Sequence, residues 1–310
     1  MNDLEPINQT KLFGLSNFLN ELIILDKKKT LPNKILLSGQ KGIGKSTLAY
    51  HLINYILSKD EKFSYDIDNF EINLENHSFK TILNNSNLNF KLINVNSEKK
   101  NIDINQIREL ILDLKKFSFN NKPRFVLIDN IEFLNINSIN ALLKILEEPS
   151  FNTHFILINN NKKILPTLLS RCINFKINLS NKECLTIANK LLNGQLNNLL
   201  NNELINYYSS PGNIFSLIKF ANINKYDLSN INLKDFLKII IKNGHYKNDT
   251  LIDYLFFDFI EFYLRKINRS VTSGIHERYS YFLKRISDTK KFNLDKESLF
   301  MEFEENVLNG

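Results

Sequence analysis

KILLSGQKGIGKSTLAYHLINYIL, Lys34 to Leu57, passes from a short apolar run through a glycine-rich turn into a run with helical spacing. The turn, Gly39 to Ser46, satisfies G-x-x-x-x-G-K-[ST], and the strand before it and the helix after it are the setting that pattern requires. At average glycine usage, a chance match in a chain of this length is on the order of one in a hundred. Gly39, Gly42 and Gly44 allow backbone N–H groups to turn inward around phosphates, and the positive end of the following helix adds to the attraction. Lys45 is placed to reach the terminal phosphates and Ser46 to offer its hydroxyl to Mg²⁺, with Thr47 beside them in the first helical turn. The bland reading is a glycine-rich strand-to-helix turn.

A second element lies downstream. RFVLID, Arg124 to Asp129, is an apolar strand that ends in a carboxylate, and Asp129 is expected to share the Mg²⁺ with Ser46. Alone this pattern is common, but paired with the glycine turn it gains weight. Asn130 follows Asp129, and an amide cannot take a proton from an attacking water. Glu132 stands two residues further on and is given little weight as a substitute base. The expectation is binding without efficient autonomous hydrolysis.

Working outward, short apolar runs alternate with amphipathic stretches from about Leu31 to Ile177, the pattern of a parallel sheet with helices on both faces. Strands are predicted at Lys34–Ser38, Lys91–Val95, Arg124–Ile128, Thr153–Asn159 and Ile173–Lys176. Helices are predicted at Lys45–Leu57, Asn105–Phe117 and Asn137–Glu147, with Asn105 and Asn137 as N-caps and Pro149 as the stop of the third. The Asn-rich segment Phe63–Phe90 has weak periodicity and reads as loop. Beyond Ser180 the alternation gives way to helices at Glu183–Leu192, Lys234–Lys242, Leu251–Lys266 and Glu277–Ile286. Three parts are expected: an α/β nucleotide-binding domain over 1–178, a small helical lid over 179–225 and an all-α C-terminal domain over 226–310.

Composition narrows the remaining classes. At 310 residues the chain has ample length for a core, and two cysteines without metal spacing, Cys172 and Cys184, argue against a disulfide framework or zinc module. Reducing cytosol is the implied compartment. The acidic N-terminus does not resemble a signal peptide, and the most apolar stretch, Tyr254 to Leu264, is too short and too charged to span a membrane. The net charge of +7 suits a polyanion such as DNA, yet the abundance of Lys, Asn and Ile also follows from AT-biased codon usage. His51, His77, His154, His245 and His276 show no i, i+4 metal pairing.

Two further stretches carry a family resemblance. NSINALLKILEEPS, Asn137 to Ser150, followed by HFILINNNKKILPTLLSRC, His154 to Cys172, resembles the AAA+ subunits of the bacterial DNA polymerase III clamp loader, over roughly Gly14 to Lys219. INQIREL, Ile104 to Leu110, is similar to the delta-prime branch of that family, as is the S-P-G of SSPGN, Ser209 to Asn213. The resemblance implies a P-loop AAA+ fold holding ATP or ADP with Mg²⁺. It also implies that Ser170-Arg171-Cys172 supplies an arginine finger to the ATP of an adjacent subunit, and that Asn159 senses the γ-phosphate. The plain alternatives are a helix-end surface charge for Arg171 and a turn residue for Asn159.

Motor subunits of the family carry a zinc-binding cysteine cluster, a Glu after the Mg²⁺ aspartate and an arginine near the lid turn. Here no cysteine precedes Cys172, Asn130 takes the place of that Glu, and SSPGN lacks the arginine, so no zinc is expected. Many delta-prime members keep the cluster too, so its absence is a departure, as is the intact glycine turn. The implied role is a mostly non-motor subunit of a cytoplasmic hetero-oligomeric ring, with other clamp-loader subunits, the sliding clamp and primed DNA as partners and no membrane. Two other readings stay open: an autonomous AAA+ motor of the gamma/tau or helicase-loader type, and a small-molecule P-loop kinase. The long helical C-terminal half argues against the kinase.

Overall fold

Five parallel strands, β1 (Lys34–Ser38), β2 (Phe90–Ile93), β3 (Arg124–Ile128), β4 (Thr153–Asn159) and β5 (Ile173–Lys176), form one sheet in the order β2-β3-β4-β1-β5. The computed structural model describes residues 4–95, 101–115, 120–148, 152–205, 209–268, 274–292 and 294–309. Phe117, Pro149 and Ser150, used above to end a helix or to support the resemblance, lie outside these residues.

Side chains alternate across a strand, so a sheet covered on both faces needs apolar residues at every position. Ile35, Leu37, Phe125, Leu127, Ile156 and Ile158 enter one core, built with α1 (Ser16–Lys27) and α2 (Lys45–Leu57). Leu36, Val126, Ile128, Phe155 and Leu157 enter the other, where Ile107 and Leu110 of α4 (Ile104–Lys115) and Leu142 and Leu146 of α5 (Ile136–Glu147) cover them. The first of these cores also contains Tyr65, Ile72, Phe79 and Ile82. The segment expected to be loop therefore packs against the sheet domain, and it contains a helix, α3 (His77–Leu83). Buried Asn76 starts it, accepting from the Phe79 amide at 2.7 Å and from the Asn54 side chain at 3.0 Å.

Two caps differ from expectation for one reason: neighbouring polar residues compete for the same role. Asp103, not Asn105, caps α4 by accepting from the amides of Asn105 (2.7 Å) and Gln106 (3.3 Å), while Gln106 returns the contact to the Asp103 amide at 3.1 Å. Asn135, not Asn137, caps α5 through the Ser138 amide at 2.8 Å. The edge strand β2 begins at Phe90 and ends at Ile93, which releases Asn94 from the sheet.

The chain divides into two compact units, Met1–Glu183 and Cys184–Gly310. The second is helical throughout its described length, with its longest helices at Thr250–Asn268 and Gly274–Phe292 and a core rich in Phe. No helix among the described residues is long and apolar enough to cross a membrane.

Candidate nucleotide site

The carboxyl ends of β1, β3 and β4 carry the candidate residues, the place where open parallel sheets bind ligands. β1 runs directly into the glycine turn, whose first residue is fixed from two sides. The Gly39 amide donates to the Asn159 carbonyl at 3.2 Å, and a Cβ at Gly39 would stand 2.4 Å from the Ile177 carbonyl oxygen. Only glycine allows the turn to pass so close to the end of β5. Gly44, with φ of 93°, takes the left-handed conformation that redirects the backbone into α2. The first-turn amides of α2, those of Lys45, Ser46 and Thr47, have no carbonyl one turn back to bond, and they face an anion naturally.

Lys45 is 97% buried, its relative exposure being 3%. Its ammonium donates to the Gly39 carbonyl at 3.0 Å and the Gln40 carbonyl at 2.6 Å. Burial brings its pKa down from 10.5 to about 8, opposed by the negative charges of Asp129 and Glu132. Ser46 donates to the Asp129 carboxylate at 2.9 Å, so the two oxygens expected to share Mg²⁺ already meet. Burial raises the Asp129 carboxyl above its ordinary value, and the Ser46 hydrogen bond holds it back. A buried ammonium, free first-turn amides, a glycine contact that a Cβ would fill and a pair of hard oxygen donors fit a polyphosphate with its Mg²⁺. No group of three or more potential metal-ligating His, Cys, Asp or Glu side chains occurs among the described residues.

The opposite side of the site was largely missed by sequence reasoning. Asn130 adopts the left-handed conformation (φ 59°, ψ 54°), which Asn tolerates better than most residues, and it opens a 3-10 turn, Ile131–Phe133. Its amide group donates to Asn94 at 3.1 Å and accepts from Asn160 at 2.8 Å. Asn160 also donates to Glu132, from its side chain at 2.8 Å and from its backbone at 3.5 Å. Asn159, the expected γ-phosphate sensor, stands at the end of β4 and bonds within its own turn: it donates to the Lys162 carbonyl at 2.9 Å and accepts from the Lys162 amide at 3.2 Å. Of the adjacent pair, Asn160 is the one whose side chain meets the end of β3. The available sequence signal was the strand alternation, which turns adjacent side chains to opposite sides.

Arg171 lies apart from this cluster, after the short helix α6 (Pro166–Leu169). Its guanidinium donates to the Thr167 carbonyl at 2.8 Å and forms an ion pair with Glu147 at the end of α5. The side chain remains 30% exposed, so it is at the surface rather than in the core. Cys172 beside it is half-buried, and burial raises its thiol to about 11.

Comparison with known proteins places these features in a family. The pattern described as DNA polymerase III, delta subunit, matches residues 14–181. The gamma/tau subunit of DNA polymerase III from Mycoplasma genitalium is 27% identical over 248 residues, covering 80% of this chain and 37% of that one. The delta-prime subunit from Buchnera aphidicola of Schizaphis graminum is 29% identical over 160 residues, covering 51% of this chain and 47% of that one. The delta-prime subunit from Pseudomonas aeruginosa is 30% identical over 139 residues, covering 44% and 40%. The chain thus spans less than half the length of these relatives. A gamma-subunit-related protein of Thermotoga maritima shares the fold, with a TM-score of 0.51 and 18% identity over 93% of this chain and 97% of that one. Since the family pattern covers more than half of the sequence, the chain belongs to the DNA polymerase III delta-subunit family, a clamp-loader family with the AAA+ fold.

Proposed function

We propose that this chain is a delta-prime-type subunit of a clamp loader, holding ATP or ADP with Mg²⁺ as a tightly kept ligand and turning it over slowly at most. One observation carries the reading: a binding half with Lys45, Ser46 and Asp129 in place is joined to a neutral amide, Asn130, where a proton acceptor is expected. Mg²⁺ would neutralise phosphate charge between Ser46 and Asp129. A bound nucleotide stabilises the fold by mass action whether or not it is cleaved. Residues 179–225 are read as a lid and 226–310 as a collar through which a cytoplasmic hetero-oligomeric ring assembles. The sliding clamp and primed DNA are partners of that ring, and neither zinc nor a membrane has a part.

Arg171 is the group lent to the neighbour. Its surface position supports this, and the Glu147 ion pair is a half-exposed contact that a neighbouring phosphate, with more charge, would displace. The test is reconstitution with a gamma/tau-type ATPase, sliding clamp and primed DNA. Arg171→Ala should lower ATP turnover by about 10²-fold or more while assembly, followed by gel filtration, survives. Unchanged turnover ends the assignment.

A motor reading rests on the loop itself and on the gamma/tau relative that covers 80% of the chain. Rapid steady-state hydrolysis by the isolated chain, dependent on Mg²⁺ and abolished by Lys45→Ala, would favour it.

A further inference from the structure

Slow turnover still requires a group that accepts a proton, and the structure offers one. We infer that Glu132, two residues beyond the usual position, is the carboxylate that polarises the attacking water, with Asn160 as its positioning residue. The inference rests on the nucleotide reading above.

Three observations converge on Glu132. The left-handed Asn130 and the 3-10 turn that follows carry the chain back toward the end of β4 rather than away along the surface. There Asn160 fixes both carboxylate oxygens, its side chain donating to Oε1 at 2.8 Å and its backbone N–H meeting Oε2 at 3.5 Å. Asn160 directly follows Asn159, whose carbonyl accepts from the Gly39 amide, so two hydrogen bonds and one peptide bond link the oriented carboxylate to the phosphate loop. Its charge is felt by both Lys45 and Asp129, which places it within Coulombic reach of the groups that grip the phosphates. A Glu held only as a surface cap would need neither the second donor nor this closeness. The same Asn160 side chain also donates to Asn130, so the amide in the usual place of the base becomes part of the support for its replacement.

The reaction balances without further reagents. The oxygen of a water forms a bond to the γ-phosphorus as the bond from that phosphorus to the β–γ bridging oxygen breaks. The electron pair leaves with the β-phosphate of ADP. The water proton passes to the Glu132 carboxylate and then to solvent.

The test uses the full chain in excess over radiolabelled ATP in a single turnover, alongside titration with a fluorescent ATP analogue. Glu132→Gln keeps the shape and, through its amide oxygen, the hydrogen bond that the Asn160 side chain donates to Oε1. It should bind the analogue within about threefold of wild type while the single-turnover rate falls about 10²-fold, the loss typical of a missing general base. Asn160→Ala should keep the carboxylate but lose its aim, giving a smaller loss of rate, about tenfold, again with binding retained. Equal rates for wild type and Glu132→Gln, or no cleavage by a wild type that binds the analogue, overturn the inference and leave the nucleotide reading standing. A wild type that does not bind the analogue removes the nucleotide reading and the inference together.

Discussion

The two sides of the candidate nucleotide crevice are made of opposite materials. On the loop side, a buried ammonium, a hydroxyl–carboxylate pair and a glycine held against Ile177 concentrate charge and steric constraint. On the far side, Asn94, Asn130 and Asn160 join neutral amides into a chain that ends at one carboxylate, Glu132. The difference separates gripping phosphate, which needs fixed charge at a cost in desolvation, from moving a proton, which needs a titratable group in one place. Under the proposed reading the first has all its expected groups in place, and the second rests on Glu132 alone.

Substitutions on the two sides should therefore behave differently, and the largest contrast is at Lys45. Lys45→Met should reduce affinity for an ATP analogue by at least about 100-fold, since the buried charge opposite the phosphates is lost. The nucleotide-free protein should become more stable at pH 7, by about 1–3 kcal/mol in urea denaturation, because the cost of burying the ammonium goes with it. The sign has a pH signature. Folded Lys45 titrates at about 8 against 10.5 when unfolded, so between these values the unfolded chain binds more protons and wild-type stability rises with pH. Below about 8 the penalty is fully present. The stability gap between variant and wild type should close as pH rises through this window.

Gly39→Ala comes next. The added methyl meets a backbone carbonyl that cannot swing aside, so a destabilisation of about 2–3 kcal/mol is expected by thermal or chemical denaturation. Wild-type-like stability would mean that the loop and the end of β5 are not in contact. Lower down α2, His51 lies buried between the Tyr65 hydroxyl (2.8 Å) and the Gln9 carbonyl (3.1 Å), and burial takes its pKa from 6.5 down to about 4. The unfolded chain takes up the proton first, so stability present above 6.5 falls as pH drops toward 4, by up to about 3 kcal/mol. His51→Gln should flatten that part of the pH profile of unfolding, even if it costs some stability at neutral pH.

The smallest effect is expected on the amide side. Asn94→Ala removes the acceptor of two neutral hydrogen bonds, from the Asn130 side chain (3.1 Å) and the Val95 amide (2.7 Å), and should cost about 1–2 kcal/mol, with analogue affinity unchanged within about twofold. A loss of affinity comparable with that of Lys45→Met would erase the distinction between the two sides.

The loop side was also the legible side. β1, β3, β4, β5 and α2 have the bounds expected from their sequences: β1, β3 and β4 are runs buried on both faces, the glycine motif fixes the start of α2, and β5 is an exposed edge strand whose bounds follow its pairing with β1. β2, paired on one side only, begins one residue and ends two residues earlier than expected, and that early end is what frees Asn94. The helix His77–Leu83 stayed hidden because it is two turns long and its cap is one Asn among many. The same abundance of short polar residues blurred the caps of α4, where Asp103 takes the role expected of Asn105, and of α5, where Asn135 takes that of Asn137. In each case spatial neighbours selected one of several chemically equivalent residues, and local spacing contains no record of that selection.

The thiols have a practical consequence. Cys184 is buried out of reach of an electrophile, and half-buried Cys172 holds its proton up to about 11 and offers little thiolate at neutral pH. A cysteine introduced at an exposed position would take a maleimide dye well ahead of both. Fluorescent reporters can thus be attached at chosen positions without first removing the native residues.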